Sequence, residues 1–137
     1  MAQFAVILAA AGSSTRFGNP FQKKVYALLQ GKPVWQHAST AFSHCKQVRQ
    51  QYLVIHPDDW EMVERKYAAT IAMAGIEVVR GGQERWQSVQ NALQRIDTSI
   101  DFVAVHDAAR PLISQHDIEA VFQAAEKYGA AILGEPI

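Results

Sequence analysis

Apolar residues run without a break from Phe4 to Ala10, and a loop rich in glycine, serine and asparagine follows through Pro20. An unbroken apolar stretch of strand length offers no polar face to water, so it predicts a strand buried on both sides. Tyr52-Leu53-Val54-Ile55 and Phe102-Val103-Ala104-Val105 read the same way, Ile76 to Val79 predicts a short strand, and Ala130 to Leu133 predicts the start of a fifth. Helical periodicity fills the intervals. Pro33 to Phe42 predicts a short helix, and Trp60, Val63, Tyr67, Ile71 and Ala74 form one face of a second, with Asp58 as N-cap, Glu61 three residues on and Gly75 as its stop. Trp86, Val89, Leu93 and Ile96 make a third apolar stripe, and Trp60 and Trp86 are expected to face the core. Ser114, with Asp117 three residues later, starts a fourth helix whose Ile118, Val121, Phe122 and Ala125 point inward and which Gly129 ends. Strand and helix alternate throughout, which predicts an α/β fold with a doubly wound, mainly parallel sheet. In such sheets ligands lie at the carboxyl ends of the strands, so the loops that leave those ends are where chemistry is expected.

Composition narrows the class. The chain has 137 residues, 49% apolar and 19% charged, which suits one domain able to bury about two-thirds of its extended surface and excludes a disordered, charge-solvated chain. With no repeat and no Pro/Gly/Ser linker, residues 1–137 read as a single unit. Thirteen basic and thirteen acidic side chains cancel, which argues against a nucleic-acid or membrane-surface binder. The single Cys45 cannot close an intrachain disulfide and fits a reducing compartment. The first positive charge, Arg16, comes too late for a signal peptide, and eight apolar residues from Phe4 to Ala11 are too few to span a bilayer. A cytoplasmic domain is expected. Gly134-Glu135-Pro136-Ile137 follows the last predicted strand with no helix to cover it, so the domain is expected to be incomplete at its carboxyl end.

Three post-strand loops carry candidate chemistry. Ala10-Ala11-Gly12-Ser13-Ser14-Thr15-Arg16-Phe17-Gly18, with Lys23-Lys24 behind it, lacks the spacing of a P-loop and of a dinucleotide fingerprint. Its small residues let backbone N–H groups approach an anion closely, and Arg16 and Lys24 bring positive charge. Composition alone leaves phosphate binding and a plain strand-to-helix connection equally open. His106-Asp107-Ala108-Ala109-Arg110-Pro111 offers a carboxylate able to hold Mg²⁺ and a guanidinium able to clamp a phosphate, or else a structural Asp–Arg pair that closes a turn. His106 is read as core filling. In Gly81-Gly82-Gln83-Glu84-Arg85-Trp86-Gln87-Ser88 the glycines permit positive φ or a close approach, Ser88 could bond a polar ring edge, and Glu84 and Gln87 read as an ordinary first helical turn. The five histidines show no metal-ligand spacing, and Cys45 has no motif marking it as a nucleophile.

Taken together and in order, Ala9-Ala10-Ala11-Gly12-Ser13-Ser14-Thr15-Arg16-Phe17-Gly18, Lys23-Lys24-Val25-Tyr26-Ala27-Leu28 with Gly31-Lys32-Pro33-Val34, Gly81 to Val89, and Val105-His106-Asp107-Ala108-Ala109-Arg110-Pro111 resemble the hallmark segments of 2-C-methyl-D-erythritol 4-phosphate cytidylyltransferases. The resemblance runs from Val6 to the end of the chain. It implies a glycosyltransferase-A-like nucleotidyltransferase fold and, in non-mevalonate isoprenoid synthesis, transfer of a cytidylyl group from CTP to methylerythritol phosphate with release of pyrophosphate. By position it implies Arg16 and Lys24 as catalytic residues. Ala10, Ala11, Gly12, Ser13 and Ser14 would line the nucleotide, Gly82 and Ser88 would face the cytosine, and Ala108 the ribose. Asp107 would meet both Mg²⁺ and substrate, and Arg110 would lie at the acceptor phosphate.

The departures are specific. Lys23-Lys24-Val25 stands where many members have Pro-Lys-Gln, so the catalytic lysine is placed at Lys24 rather than Lys23 by judgement, and Gln83 replaces a common Asp. Members of the family continue for roughly another half, which carries a homodimerisation arm and further basic residues. Two alternatives stand beside the leading reading: a cytidylyltransferase for another sugar-alcohol phosphate such as ribitol 5-phosphate, and a truncated, non-catalytic chain that binds nucleotide.

Overall fold

The computed structural model describes residues 1–12 and 23–134. Their core is a four-stranded parallel sheet of β1 (Phe4–Ala10), β4 (Val48–Ile55), β5 (Ile76–Arg80) and β6 (Phe102–Asp107), in the spatial order β5-β4-β1-β6. A two-stranded hairpin, β2 (Leu28–Leu29) with β3 (Lys32–Pro33), stands apart from it, turned by Gln30 and Gly31 at φ 53 and 80. Positive φ at both turn residues suits the twist of a tight hairpin.

β1 is central because nothing in it prefers water. Phe4, Val6, Leu8 and Ala10 face one side of the sheet, and Ala5 and Ile7 face the other. The first side is covered by α1 (Val34–Ser43), α2 (Trp60–Ala74) and α4 (Gln115–Tyr128), through Trp35, Ala38 and Phe42, then Val63, Tyr67 and Ile71, then Ile118 and Phe122. The second side is covered by α3 (Arg85–Leu93), which contributes Ala92 with Val89 and Ile96 beside it. Helices therefore lie on both faces, and the chain changes face between β5 and β6. β1 and β6 become the neighbours at which connections diverge, the place where doubly wound sheets open a ligand crevice.

Local signals explain most boundaries. Gly75 ends α2 at φ 69 and Gly129 ends α4 at φ 88, and the Ser114 hydroxyl accepts the Asp117 N–H at 3.1 Å at the start of α4. Several expectations are corrected. Asp58 is not a helix cap; residues Pro57–Asp59 form a 3₁₀ turn whose Asp58 N–H donates to His56 Nδ1 at 3.1 Å, and α2 begins at Trp60. In α3 the buried residues are Ser88 and Ala92, whereas Trp86 and Leu93 are exposed, because the helix rests on the sheet through its small residues. Trp60 packs at the core margin with the Arg80 guanidinium 4.2 Å above its ring, and Ala74 is exposed.

β6 is not buried on both sides. Val103 and Val105 are exposed, since α3 packs over β1, β4 and β5 and stops short of this edge. Ala130 to Leu133 forms no strand: a strand needs a ladder partner, and this segment makes no such pairing among the described residues.

Candidate functional site

A cavity of about 1000 Å³ opens at the carboxyl end of the sheet, lined from β1 by Ala9 to Gly12, from β4 by His56, from β5 by Gly82 to Arg85 and Ser88, and from β6 by Asp107, Ala109 and Arg110. Lys23, Lys24 and Val25 close it from the side. Among the lining residues are four cationic side chains, Lys23, Lys24, Arg85 and Arg110, against two carboxylates, Glu84 and Asp107. A chain of zero net charge thus concentrates positive charge in one recess, which draws in anions.

The β6 turn is held by its backbone. Asp107 Oδ1 accepts the Ala109 N–H at 3.0 Å, the Asp107 carbonyl accepts the Arg110 N–H at 3.0 Å, and His106 Nε2–H donates to the Arg110 carbonyl at 2.9 Å. His106 therefore closes this turn, besides setting its ring edge-on to Phe42 at 5.1 Å. The Arg110 guanidinium lies 3.8 Å from Asp107 Oδ2 and is largely in solvent. The turn does not need it, so it is available to a ligand. A salt-screened contact of this kind is worth little by itself.

The β5 loop is built on close approach rather than on unusual backbone angles; neither Gly81 nor Gly82 has a positive φ. The Gly81 N–H donates to the Ile55 carbonyl at 2.7 Å. A Cβ there would stand 2.5 Å from the Ala11 Cβ and 2.8 Å from Ser88 Oγ. Gly81 thereby lets the β5 loop press against the end of β1. The Gly82 N–H donates to Ser88 Oγ at 3.0 Å, and Ser88 is buried, so the serine organises this loop before it can meet any ring edge. Glu84 and Gln87 form a reciprocal capping box at the start of α3. Gly12 is the contrasting case: a Cβ on it would meet no described atom within 4 Å. Gly81→Ala is therefore expected to destabilise the fold by about 1–3 kcal/mol through overpacking, with Gly12→Ala near neutral. Urea denaturation of the two variants checks the difference, and equal midpoints would contradict it.

The two lysines differ. Lys23 Nζ donates to Asp59 Oδ2 at 2.8 Å, with side chains 22% and 17% exposed. Lys24 is exposed at the cavity wall and makes no ion pair among the described residues.

The cavity thus gathers Ala10, Ala11, Gly12, Lys24, Gly82, Ser88, Asp107 and Arg110 from the residues singled out in the sequence. Ala108 is fully buried, its N–H donates to the Ala9 carbonyl at 3.0 Å, and its neighbour Ala109 lines the cavity. Ser13, Ser14 and Arg16 lie outside the described residues.

A family model described as 2-C-methyl-D-erythritol 4-phosphate cytidylyltransferase matches residues 4–137. The chain belongs to that family. A relative of that name from Rhodopirellula baltica is 40% identical over 99% of this chain and 60% of its own length, and a chloroplastic one from Oryza sativa is 36% identical over 96% and 43%. Among solved structures, the bifunctional IspDF of Campylobacter jejuni superposes with a TM-score of 0.75 at 27% identity, covering 92% of this chain and 31% of that one. The 4-diphosphocytidyl-2C-methyl-D-erythritol synthase of Anaerococcus prevotii superposes at 0.74 with 23% identity, over 92% and 52%, and shares the fold. The chain spans a little over half the length of most of the curated family members it matches.

Membership explains the three loop segments, but the structure adds residues that they do not mark. His56 lines the cavity from β4, and Asp59 holds Lys23. The rule that chemistry follows parallel strands applies equally to β4, whose loop reads in sequence only as a helix start. No helix among the described residues is long and apolar enough to cross a membrane.

Proposed function

We propose that the protein carrying this chain transfers a cytidylyl group from CTP to 2-C-methyl-D-erythritol 4-phosphate and releases pyrophosphate. The observation that supports this most is the convergence of the β1, β5 and β6 loops and Lys24 on one positively charged cavity, in a chain of the cytidylyltransferase family. An oxygen of the acceptor phosphate attacks the α-phosphorus in line. The new P–O bond forms as the bond to the β-phosphate bridging oxygen breaks, and its electron pair leaves with pyrophosphate. The nucleophile is already anionic, so catalysis consists chiefly of positioning and charge neutralisation.

In this reading the backbone of Ala10, Ala11 and Gly12, with Ser13 and Ser14, cradles the triphosphate. Lys24 and Arg16 neutralise charge that grows on the phosphoryl oxygens, Gly82 and the Ser88 it leans on border the base, and Arg110 meets the acceptor phosphate. Asp107 fits Mg²⁺ as a single carboxylate: Oδ1 is engaged by Ala109, and Oδ2 faces only the loosely held Arg110. That donor set suits a hard cation whose other ligands are phosphate oxygens and water. Bound there, the ion would supply charge neutralisation at the triphosphate. We further propose a cytoplasmic protein with no nucleic-acid or membrane partner, a reading supported by the zero net charge and lone Cys45; a homodimer is proposed for the full-length protein from family membership alone.

Pyrophosphate release from CTP and Mg²⁺ tests the reading, with methylerythritol phosphate and ribitol 5-phosphate as parallel acceptors and the full-length protein as catalyst. Release dependent on methylerythritol phosphate is expected. Release with ribitol 5-phosphate alone would overturn it.

A further inference from the structure

We infer that Asp59 is a positioning residue for Lys24, acting through its tie to the adjacent Lys23. The inference rests on the reading of Lys24 as a phosphate-binding lysine. Lys24 begins the 3₁₀ turn Lys24–Tyr26, and Lys23 occupies the capping position before it. Lys23 is tied to Asp59 at 2.8 Å by a pair about four-fifths removed from solvent. Such a pair, unlike a rim contact, leaves a costly unmatched charge when one partner is deleted.

On the other side of Lys24, Tyr26 is buried, and its ring stacks on Tyr67 of α2 with centroids 6.4 Å apart. Its hydroxyl is held protonated well above the ordinary phenol range, first by burial and then by the Asp59 carboxylate. One carboxylate, set immediately before α2, therefore anchors the residue before the lysine that faces the cavity, and the packing of Tyr26 against α2 holds the segment after it. α1 completes the clamp, since the Val34 N–H donates to the Ala27 carbonyl at 2.9 Å. An ammonium whose neighbours are anchored is preorganised, and the ordering cost of gripping a phosphate is met when the chain folds. No feature of the three loop segments marks Asp59, which lies 36 residues from Lys23.

The test is trace acetylation of the lysine amines with acetic anhydride, read by peptide mass spectrometry, with and without inorganic tripolyphosphate. In the unaltered chain Lys23 should react slowly, and tripolyphosphate should protect Lys24. Asp59→Asn should make Lys23 react several-fold faster and cut the protection of Lys24 several-fold. Lys23→Gln/Asp59→Asn, which leaves no unmatched charge and so keeps the fold, should lose the same protection. Lys23→Asp/Asp59→Lys should restore most of it. A merely structural Asp59 would lower the melting temperature and leave the protection of Lys24 unchanged, and that result would overturn the inference. So would protection of Lys23 in place of Lys24. Protection by tripolyphosphate but not by CTP would uphold the positioning role and overturn the cytidylyl reading.

Discussion

Lys24→Ala is expected to lower turnover of the full-length protein by about 10²–10³-fold, the usual loss when one preorganised donor is removed from a developing oxyanion. The same change should alter stability by less than about 0.5 kcal/mol, because the side chain is exposed and pairs with nothing described. Lys23→Ala should show the opposite balance. Its ammonium is committed to Asp59, so its removal strands a partly buried carboxylate and costs about 1–3 kcal/mol, with the smaller loss of turnover. Steady-state pyrophosphate release and urea denaturation on both variants measure the two axes separately. If Lys23→Ala proved the slower enzyme, the lysine at the transferring phosphate would be misassigned.

Trp35→Ala should be the most damaging single change to the fold, at about 3–5 kcal/mol. Trp35 is the largest fully buried side chain, and its ring meets Tyr67 edge-on at 5.6 Å. Tyr67 in turn stacks on Tyr26, so the cavity left by the indole lies directly behind the segment that presents Lys24. Trp35→Phe should cost less than half as much. The hole is smaller, and the substitution removes an indole N–H that has no partner among the described residues. Denaturant midpoints of the two variants decide this, and equal losses for Ala and Phe would show that packing behind the lysine segment is not what Trp35 supplies.

The parts of the molecule most legible in its sequence are those whose cause is local. The unbroken apolar run of β1, the Ser114 cap and the glycine stops of α2 and α4 all stand where their residues indicate. Periodicity reports that a face is apolar but not whether a neighbour is present to cover it. For that reason Val103 and Val105 lie exposed on an edge strand, and Trp86 and Leu93 lie outside a helix that packs through Ser88 and Ala92. Ala130 to Leu133 has strand composition and no partner strand among the described residues.

The site divides in the same way. Its glycines and its carboxylate sit in contiguous segments and could be found by inspection. The engagement of Ser88 with Gly82, the inward turn of Ala108, and the tie from Asp59 to Lys23 depend on which elements meet in space. Spacing along the chain does not encode those meetings.

We propose that the recess at the β1–β6 switch point is a cytidine triphosphate site. Calorimetric titration of the 137-residue chain with CTP and Mg²⁺, with ATP as comparator, tests it most directly. Saturable binding that favours CTP is predicted, and it should weaken in Lys24→Ala. A chain shown to be folded by circular dichroism that binds neither nucleotide, or binds ATP as well as CTP, would contradict it.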